Sequence, residues 1–464
     1  MSKISLFFDK GTVLLRNVSR EVEAQLPGLK WDERVNLFRA PASSYRDIML
    51  ALHERKIPFE DQAREFKSMD LPTREIIEPR PYQQDAMSAW WRNGRQGVVV
   101  LPTGAGKTIL AVMLMIKNRR STLIHVPTID LMHQWHSVLR KFLDLEIGLW
   151  GGGYNETEDI TISTYDSALL HVDTRGNQFG LLIFDECHRL PGDQYQFLAM
   201  SSIAPFRLGL TATPERADGR EKRLYQLSGS LCYRANIHEL TGKTLAPYEV
   251  FTIEVDMKFE EREAYEEASA EYLNFLQTEQ ISLGGPNGWK NFLYRASRTP
   301  VGRSAFKAWL RQKKLSQASA AKDDKIWELI QQHAGDRIII FTQDNEMAYR
   351  IGKNFLLPVI THQTRLKERE SFLTAFRNGD YAILATSKVL NEGVDVPEAN
   401  VAIIVSGSGS VREHVQRLGR ILRARPGKKA ILYELISSDT REYYVNMRRK
   451  RHHAYQRPGS VQNP

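Results

Sequence analysis

Residues 98–108 read VVVLPTGAGKT, and no other stretch constrains the fold so tightly. A β-branched run ends in a tight Gly-rich loop, and the apolar, helix-compatible run ILAVMLM follows it directly. Buried strand, loop and helix in that order point to an α/β protein whose parallel sheet is covered on both faces. The loop Gly104-Ala105-Gly106-Lys107-Thr108 would aim backbone N–H groups at phosphates. Lys107 would reach the β/γ-phosphates of a nucleotide and the Thr108 hydroxyl would hold Mg²⁺. The start of the following helix adds its own partial positive charge. One position departs from the pattern G-x-x-x-x-G-K-[ST]: Leu101 stands where the first glycine is expected.

A second constellation narrows the chemistry. Residues 180–190 read GLLIFDECHRL. The apolar run 181–184 is expected to be a buried parallel strand that delivers Asp185 and Glu186 at its C-terminal end, where ligands bind in open α/β sheets. Asp185 is suited to hold Mg²⁺ in its outer shell, and Glu186 to orient or deprotonate an attacking water. His188 would couple that site to a neighbouring segment. Cys187 reads as a small space-filler, because flanking carboxylates raise a thiol pKa. Residues 416–423, QRLGRILR, supply a third element. Arg420 and Arg423 are three apart on one helical face, spaced to reach a γ-phosphate across a domain cleft as arginine fingers.

With these segments in hand, the chain resembles superfamily-two helicases of the DExH type, and among them the XPB family, especially its archaeal and bacterial members. The supporting segments run in order. Around Arg80-Pro81-Tyr82-Gln83, the resemblance implies that Gln83, with Arg80, reads adenine. Residues 126–135 (VPTIDLMHQW) and 162–167 (ISTYDS) resemble strand-tracking motifs. Residues 204–216 (APFRLGLTATPER) contain Thr211-Ala212-Thr213, and Thr211 and Thr213 are implied to link hydrolysis to DNA movement. RIIIFTQ at 337–343 opens a second core. Residues 385–397 carry Gly393 and Asp395, and residues 405–423 carry Gln416, all implied to serve the nucleotide. Relatives have an Arg-Glu-Asp triplet implicated in strand separation; here it is Arg216-Ala217-Asp218, which weakens the expectation of robust unwinding.

The expected fold is α/β: two RecA-like parallel-sheet domains, a small N-terminal α+β domain and a helical thumb-like insertion. Residues 1–75 form the N-terminal unit, with a hairpin at 4–17 turning at Asp9-Lys10-Gly11 and a helix over 44–56. In the family this position holds a domain proposed to sense damaged DNA. Residues 78–250 form the first core, with strands at 97–101, 122–126, 160–163, 181–184 and 207–210. Residues 257–321 form the thumb-like insertion. There Lys290, Arg295, Arg298, Arg303, Lys307 and Arg311 are expected to meet phosphates, with Trp289 interleaved. Residues 322–440 form the second core, with strands near 337–341, 382–385, 401–405 and 431–435, and residues 441–464 a basic tail.

A net charge of +9 favours a polyanionic partner. Cys187 and Cys232 are the two cysteines, too few for a disulfide scaffold, which fits a reducing compartment. No apolar run approaches the ~20 residues of a membrane span, and residues 1–10 do not read as a signal peptide. Together with the resemblance, these features imply an ATP- and Mg²⁺-dependent DNA helicase or translocase, running 3′ to 5′. It would act on forked, bubble or duplex DNA in nucleotide excision repair-type processing. A working monomer at the nucleoid of a prokaryotic cytoplasm is expected. Two alternatives stand beside it: a translocating subunit of a restriction or defence system, and a DNA-binding ATPase adaptor that regulates a partner nuclease.

Overall fold

The computed structural model describes residues 3–216, 218–240, 247–284, 287–387, 399–406 and 430–450. They divide into two compact units, one up to Asn236 and the other from Ile237.

The first unit opens with a small sheet. Strands β1 (Ile4–Asp9), β2 (Thr12–Arg16), β3 (Lys30–Asp32), β4 (Leu37–Pro41) and β5 (Phe59–Asp61) lie in the order β3-β4-β2-β1-β5. The β1–β2 hairpin turns on Lys10 and Gly11, both at positive φ (43° and 73°), as a two-residue turn with right-handed strand twist requires. Helix Tyr45–Glu54 closes the sheet with Ile48, Ala51 and Leu52. Tyr45 is buried and donates to Asp61 Oδ2 at 2.6 Å, whereas Trp31 is half-exposed with its ring edge-on to Phe38.

Residues 176–205 of the same unit fasten this sheet in place. Ile203 sits in its hydrophobic core, and Arg46 Nη1 donates to the Pro205 carbonyl at 2.8 Å. Buried Asn177 donates to the Ala63 carbonyl at 3.0 Å, and its own carbonyl accepts the Glu65 and Phe66 N–H groups. A Cβ at Gly11 would stand 2.6 Å from Ser201 Cβ.

A larger sheet lies within the same unit: β6 (Gln96–Val100), β7 (Thr122–Val126), β8 (Gly148–Gly151), β9 (Tyr154–Asn155), β10 (Ile160–Thr164), β11 (Leu181–Asp185), β12 (Phe206–Thr211) and β13 (Leu231–Arg234). Their order is β13-β6-β12-β11-β7-β10-β8-β9, parallel throughout except at β8–β9. Strands β7, β10 and β11 are buried at every residue, because helices cover both faces.

The second unit holds a six-stranded parallel sheet: β14 (Tyr248–Val255), β15 (Ile338–Phe341), β16 (Val359–Ile360), β17 (Ile383–Thr386), β18 (Val401–Ile404) and β19 (Ala430–Ser437), in the order β14-β19-β18-β15-β17-β16. One expected boundary is corrected here. Residues 248–250, assigned from sequence to the first core, begin β14, which pairs with β19 along all eight of its residues. YEVFTIEV mixes apolar and charged residues with none fully buried, as suits a strand at the sheet edge, so no wholly apolar run marks it in the sequence.

Helices Phe259–Thr278, Gly288–Arg298 and Pro300–Gln317 stand between β14 and β15 in sequence and share a core of Tyr272, Phe275, Phe292, Ala296, Ala305 and Ala308. Thr299 caps the third helix by accepting the Gly302 N–H at 2.9 Å, with Pro300 at its first turn. Among the described residues, no helix is long and apolar enough to cross a membrane.

Candidate nucleotide site and nucleic-acid interface

The loop after β6 is shaped by its glycines. Gly104 (φ 82°) and Gly106 (φ 77°) adopt the left-handed backbone, and Gly106 caps helix Lys107–Asn118. A Cβ on Gly106 would also come within 3.1 Å of Gln83 Nε2. Leu101 explains the departure from the glycine pattern. Its side chain is fully buried and its N–H extends the sheet ladder to the Thr211 carbonyl at 3.0 Å, so that position belongs to the core.

Two residues brace the loop from behind. Tyr82 donates its hydroxyl to the Ala105 carbonyl at 2.5 Å. Gln83, also buried, accepts the Arg80 N–H at 3.0 Å and donates to the Gly106 carbonyl at 3.3 Å. Lys107 rests its ammonium on the Leu101 carbonyl at 3.3 Å, and Lys107 and Thr108 are both half-buried at the helix start.

At the end of β11, Asp185 is held from three sides. Trp135 Nε1 donates to Oδ2 at 2.8 Å, the Glu186 N–H donates to Oδ1 at 3.0 Å, and the Tyr165 hydroxyl donates to the Asp185 backbone carbonyl at 3.0 Å. Burial pushes the Asp185 pKa up to about 6; neighbouring Glu186 pushes the same way and Lys107 opposes. Glu186 itself takes the left-handed backbone at φ 50°. Its Oε2 lies 3.3 Å from Nδ1 of buried His188, and the same nitrogen lies 3.2 Å from Thr211 Oγ1. Thr211 Oγ1 accepts the Thr213 N–H and donates to the Thr213 carbonyl.

Arg216 reaches the His188 carbonyl and grips Asp218 with two bonds, at 2.8 and 2.6 Å, which hold the Asp218 carboxyl well below its usual range. The structure thus brings Glu186, His188, Thr211, Thr213, Arg216 and Asp218 into one connected chain. Cys187 packs fully buried with Sγ against Gly209, and burial, then Glu186 and Asp185, drive its thiol far up, as a space-filler requires. Gly393, Asp395, Gln416, Arg420, Arg423 and Ala217 lie outside the described residues.

The site suits a triphosphate with a hard cation. The positive-φ glycines put no Cβ at positions 104 and 106, and a Lys stands at a helix N-terminus. Thr108 and Asp185 offer oxygen donors only, the set Mg²⁺ prefers.

Three family profiles match successive stretches: the Xeroderma pigmentosum group B helicase damage recognition domain over residues 6–63, the type III restriction enzyme res subunit over 76–216, and the ERCC3/RAD25/XPB C-terminal helicase over 310–457. A DNA 3′-5′ translocase XPB2 of Sulfurisphaera tokodaii is 40% identical over 92% of this chain and 97% of its own length. The chain belongs to the XPB family. Within it, a DNA 3′-5′ helicase XPB of Kineococcus radiotolerans is 34% identical over 80% of this chain, and that of Mycobacterium tuberculosis 32% over 82%. The chain spans 62% and 65% of those two longer XPB proteins.

In this XPB-family chain the helices Gly288–Arg298 and Pro300–Gln317 present Lys290, Arg295, Arg298, Arg303, Lys307 and Arg311 to solvent. Arg295 pairs with Glu279 at 3.1 Å, and Arg298 covers the exposed Tyr294 ring at 4.1 Å. Trp289 is 40% exposed and leans on Trp309, with Lys313 over the latter. Sequence reasoning missed Trp135 and Tyr165 as site residues, though both lie in segments singled out as strand-tracking. Their signal was available in principle: a buried indole N–H or phenol hydroxyl must find a partner.

Proposed function

We propose that this chain is an ATP-driven DNA motor, a 3′-to-5′ translocase that also separates strands. One observation carries the reading. Lys107, Thr108, Asp185 and Glu186 converge at the C-terminal ends of β6 and β11, which flank β12, and Glu186 is tied through His188 to Thr211 on β12. Backbone N–H groups at the start of helix 107–118 and the Lys107 ammonium bind the phosphates. Thr108 and Asp185 would hold Mg²⁺, which when bound would supply Lewis-acid stabilisation of the phosphoryl charge. Glu186 orients the attacking water and takes its proton.

His188, Thr211 and Thr213 pass the state of Glu186 to the Arg216–Asp218 pair. Arg420 and Arg423 act as arginine fingers, Gly393, Asp395 and Gln416 serve the nucleotide, and Arg80 with Gln83 recognises adenine. The basic helices 288–317 meet DNA phosphates, with Trp289 as a stacking surface beside Arg295 and Arg298. Such contacts position a strand without reading its sequence, so binding is selective for structure and weakens steeply with salt. The setting is nucleotide excision repair-type processing in a prokaryotic cytoplasm, by a monomer working with a nuclease. A restriction-type motor shares the 76–216 profile, but the flanking XPB profiles favour the repair reading.

The test compares ATP hydrolysis by wild type and Glu186→Gln with no nucleic acid, duplex DNA, forked DNA and RNA, alongside displacement of the forked strand. DNA-stimulated hydrolysis that Glu186→Gln abolishes is expected, with displacement of the forked strand. Hydrolysis without displacement removes the helicase part and leaves a translocase. Better stimulation by RNA, or none by DNA, overturns the DNA motor.

A further inference from the structure

Each of the two strand-tracking segments buries one aromatic side chain against Asp185. Trp135 lies in the second turn of helix Ile129–Phe142, fully buried, with its only polar atom 2.8 Å from Asp185 Oδ2. Tyr165 opens the short helix after β10, is equally buried, and holds the Asp185 backbone carbonyl at 3.0 Å. The two segments also start alike. Thr128 accepts the Leu131 N–H and Thr164 the Ser167 N–H, so both helices start in capped turns just beyond β7 and β10. Ile129, beside the first cap, is exposed. Each segment therefore starts in a capped turn at the C-terminal end of its strand and puts a buried ring on Asp185.

We propose that Trp135 and Tyr165 are positioning residues through which DNA binding at 126–135 and 162–167 sets Asp185, and that DNA stimulation of ATP hydrolysis passes through their two hydrogen bonds. This inference rests on the DNA-stimulated ATPase reading above.

The geometry leaves little slack. Met132 and Leu139, on the same face of the helix as Trp135, are fully buried too, so the indole sits in close-packed surroundings. A hydrogen bond weakens steeply as its angle opens, so a small helix shift changes the hold on Oδ2. The other carboxylate oxygen is bonded to the Glu186 N–H, so a turn of Asp185 also disturbs the peptide that carries Glu186. Groups that orient a metal-holding carboxylate typically change metal affinity or activity by about 10- to 100-fold when removed.

Tyr165→Phe deletes only the hydroxyl, whereas Trp135→Phe keeps an aromatic ring in the core but removes the indole N–H together with ring volume, so the melting temperature of each variant is followed as well. For each variant and wild type, four quantities are measured: the fold-stimulation of hydrolysis by DNA, the Mg²⁺ concentration for half-maximal hydrolysis, the gain in affinity for a fluorescent ADP that Mg²⁺ brings, and DNA affinity without nucleotide. We expect stimulation by DNA to fall at least ~5-fold and the Mg²⁺ requirement to rise roughly 10-fold. The Mg²⁺-dependent gain in ADP affinity shrinks in parallel, while DNA affinity changes less than ~2-fold. A wild-type indole N–H resonance that is missing from Trp135→Phe is expected to shift when DNA is added without nucleotide. Wild type that DNA fails to stimulate defeats the underlying reading. Stimulated wild type with equally stimulated variants and an unshifted resonance defeats this inference alone, as does a lowered melting temperature with an unchanged Mg²⁺ profile.

Discussion

Replacing Lys322 by Met tests how β18 and β19 of the second sheet are held together. Lys322 opens helix Ala320–Gln332 fully buried, and donates to Glu442 Oε2 at 2.7 Å and to the Val405 carbonyl, just past β18, at 3.0 Å. Glu442 Oε2 also accepts the Ser437 N–H at the end of β19 at 3.1 Å. Burial pushes the Lys322 pKa down, and Glu442 opposes that push, so the charge rests on its partner. Met matches the stem but deprives Glu442 of the Lys322 counter-charge. Breaking such a buried pair from one side costs about 3–5 kcal/mol, whereas neutralising both partners is often close to neutral.

A loss of about 4 kcal/mol corresponds to roughly 10³ in the opening equilibrium of the strands it joins. Hydrogen exchange of peptides covering 401–404 and 430–437 is the assay, and protection should fall by about that factor in Lys322→Met. Glu442→Gln, added to it, stays neutral and keeps an oxygen for the Ser437 N–H, so most of the protection should return. Exchange in the single variant within ~3-fold of wild type, or a double variant as labile as the single, refutes the reasoning.

Two further predictions concern buried or crowded positions. His125 is fully buried on β7, stacked on Phe184 at 4.7 Å, and burial takes its pKa down to about 3, so the fold keeps it neutral while the unfolded chain protonates below 6.5. Its contribution is complete above pH 6.5 and is lost as pH falls toward 3, at about 1.4 kcal/mol per unit. Denaturant unfolding of His125→Phe should therefore lose about 2 kcal/mol less than wild type between pH 7 and pH 5, and parallel pH profiles refute this. Gly11→Ala forces a Cβ onto a φ of 73° and to 2.6 Å from Ser201 Cβ, at a cost of at least ~2 kcal/mol. Limited proteolysis should then cut faster within residues 62–75, and an unchanged cleavage rate counts against the tight seat.

Much of this was legible because the informative peptides are local. The strand 122–126 falls where expected although Thr122 and His125 interrupt its apolar residues, and β11, an unbroken hydrophobic run as strands buried on both faces tend to be, differs from expectation only by Asp185. The Gly-rich loop and the Asp185-Glu186 pair are likewise contiguous. Strands β8 and β13 were not read: GLWG and LCYR are too short and mixed to stand out. The contacts that join distant residues were hidden for a different reason. Trp135 looks like any apolar helix position until the fold brings it to a carboxylate 50 residues away, and Lys322 meets Glu442 across 120. Gln83 shows the same gap, because its amide also holds the Gly106 carbonyl, which no motif states.

The family profiles part the chain between residues 63 and 76, and the packing does not respect that seam. Ile203 is inherited with the ATPase sheet yet completes the hydrophobic interior of the N-terminal strands. A lineage that shed residues 1–63 would expose an oily socket around Ile203 and strip Arg46 from the Pro205 carbonyl and Ala63 from Asn177. The N-terminal strands are thus a limb grown into the shoulder of the motor. Any displacement of the ATPase sheet must therefore either carry those strands with it or break these contacts.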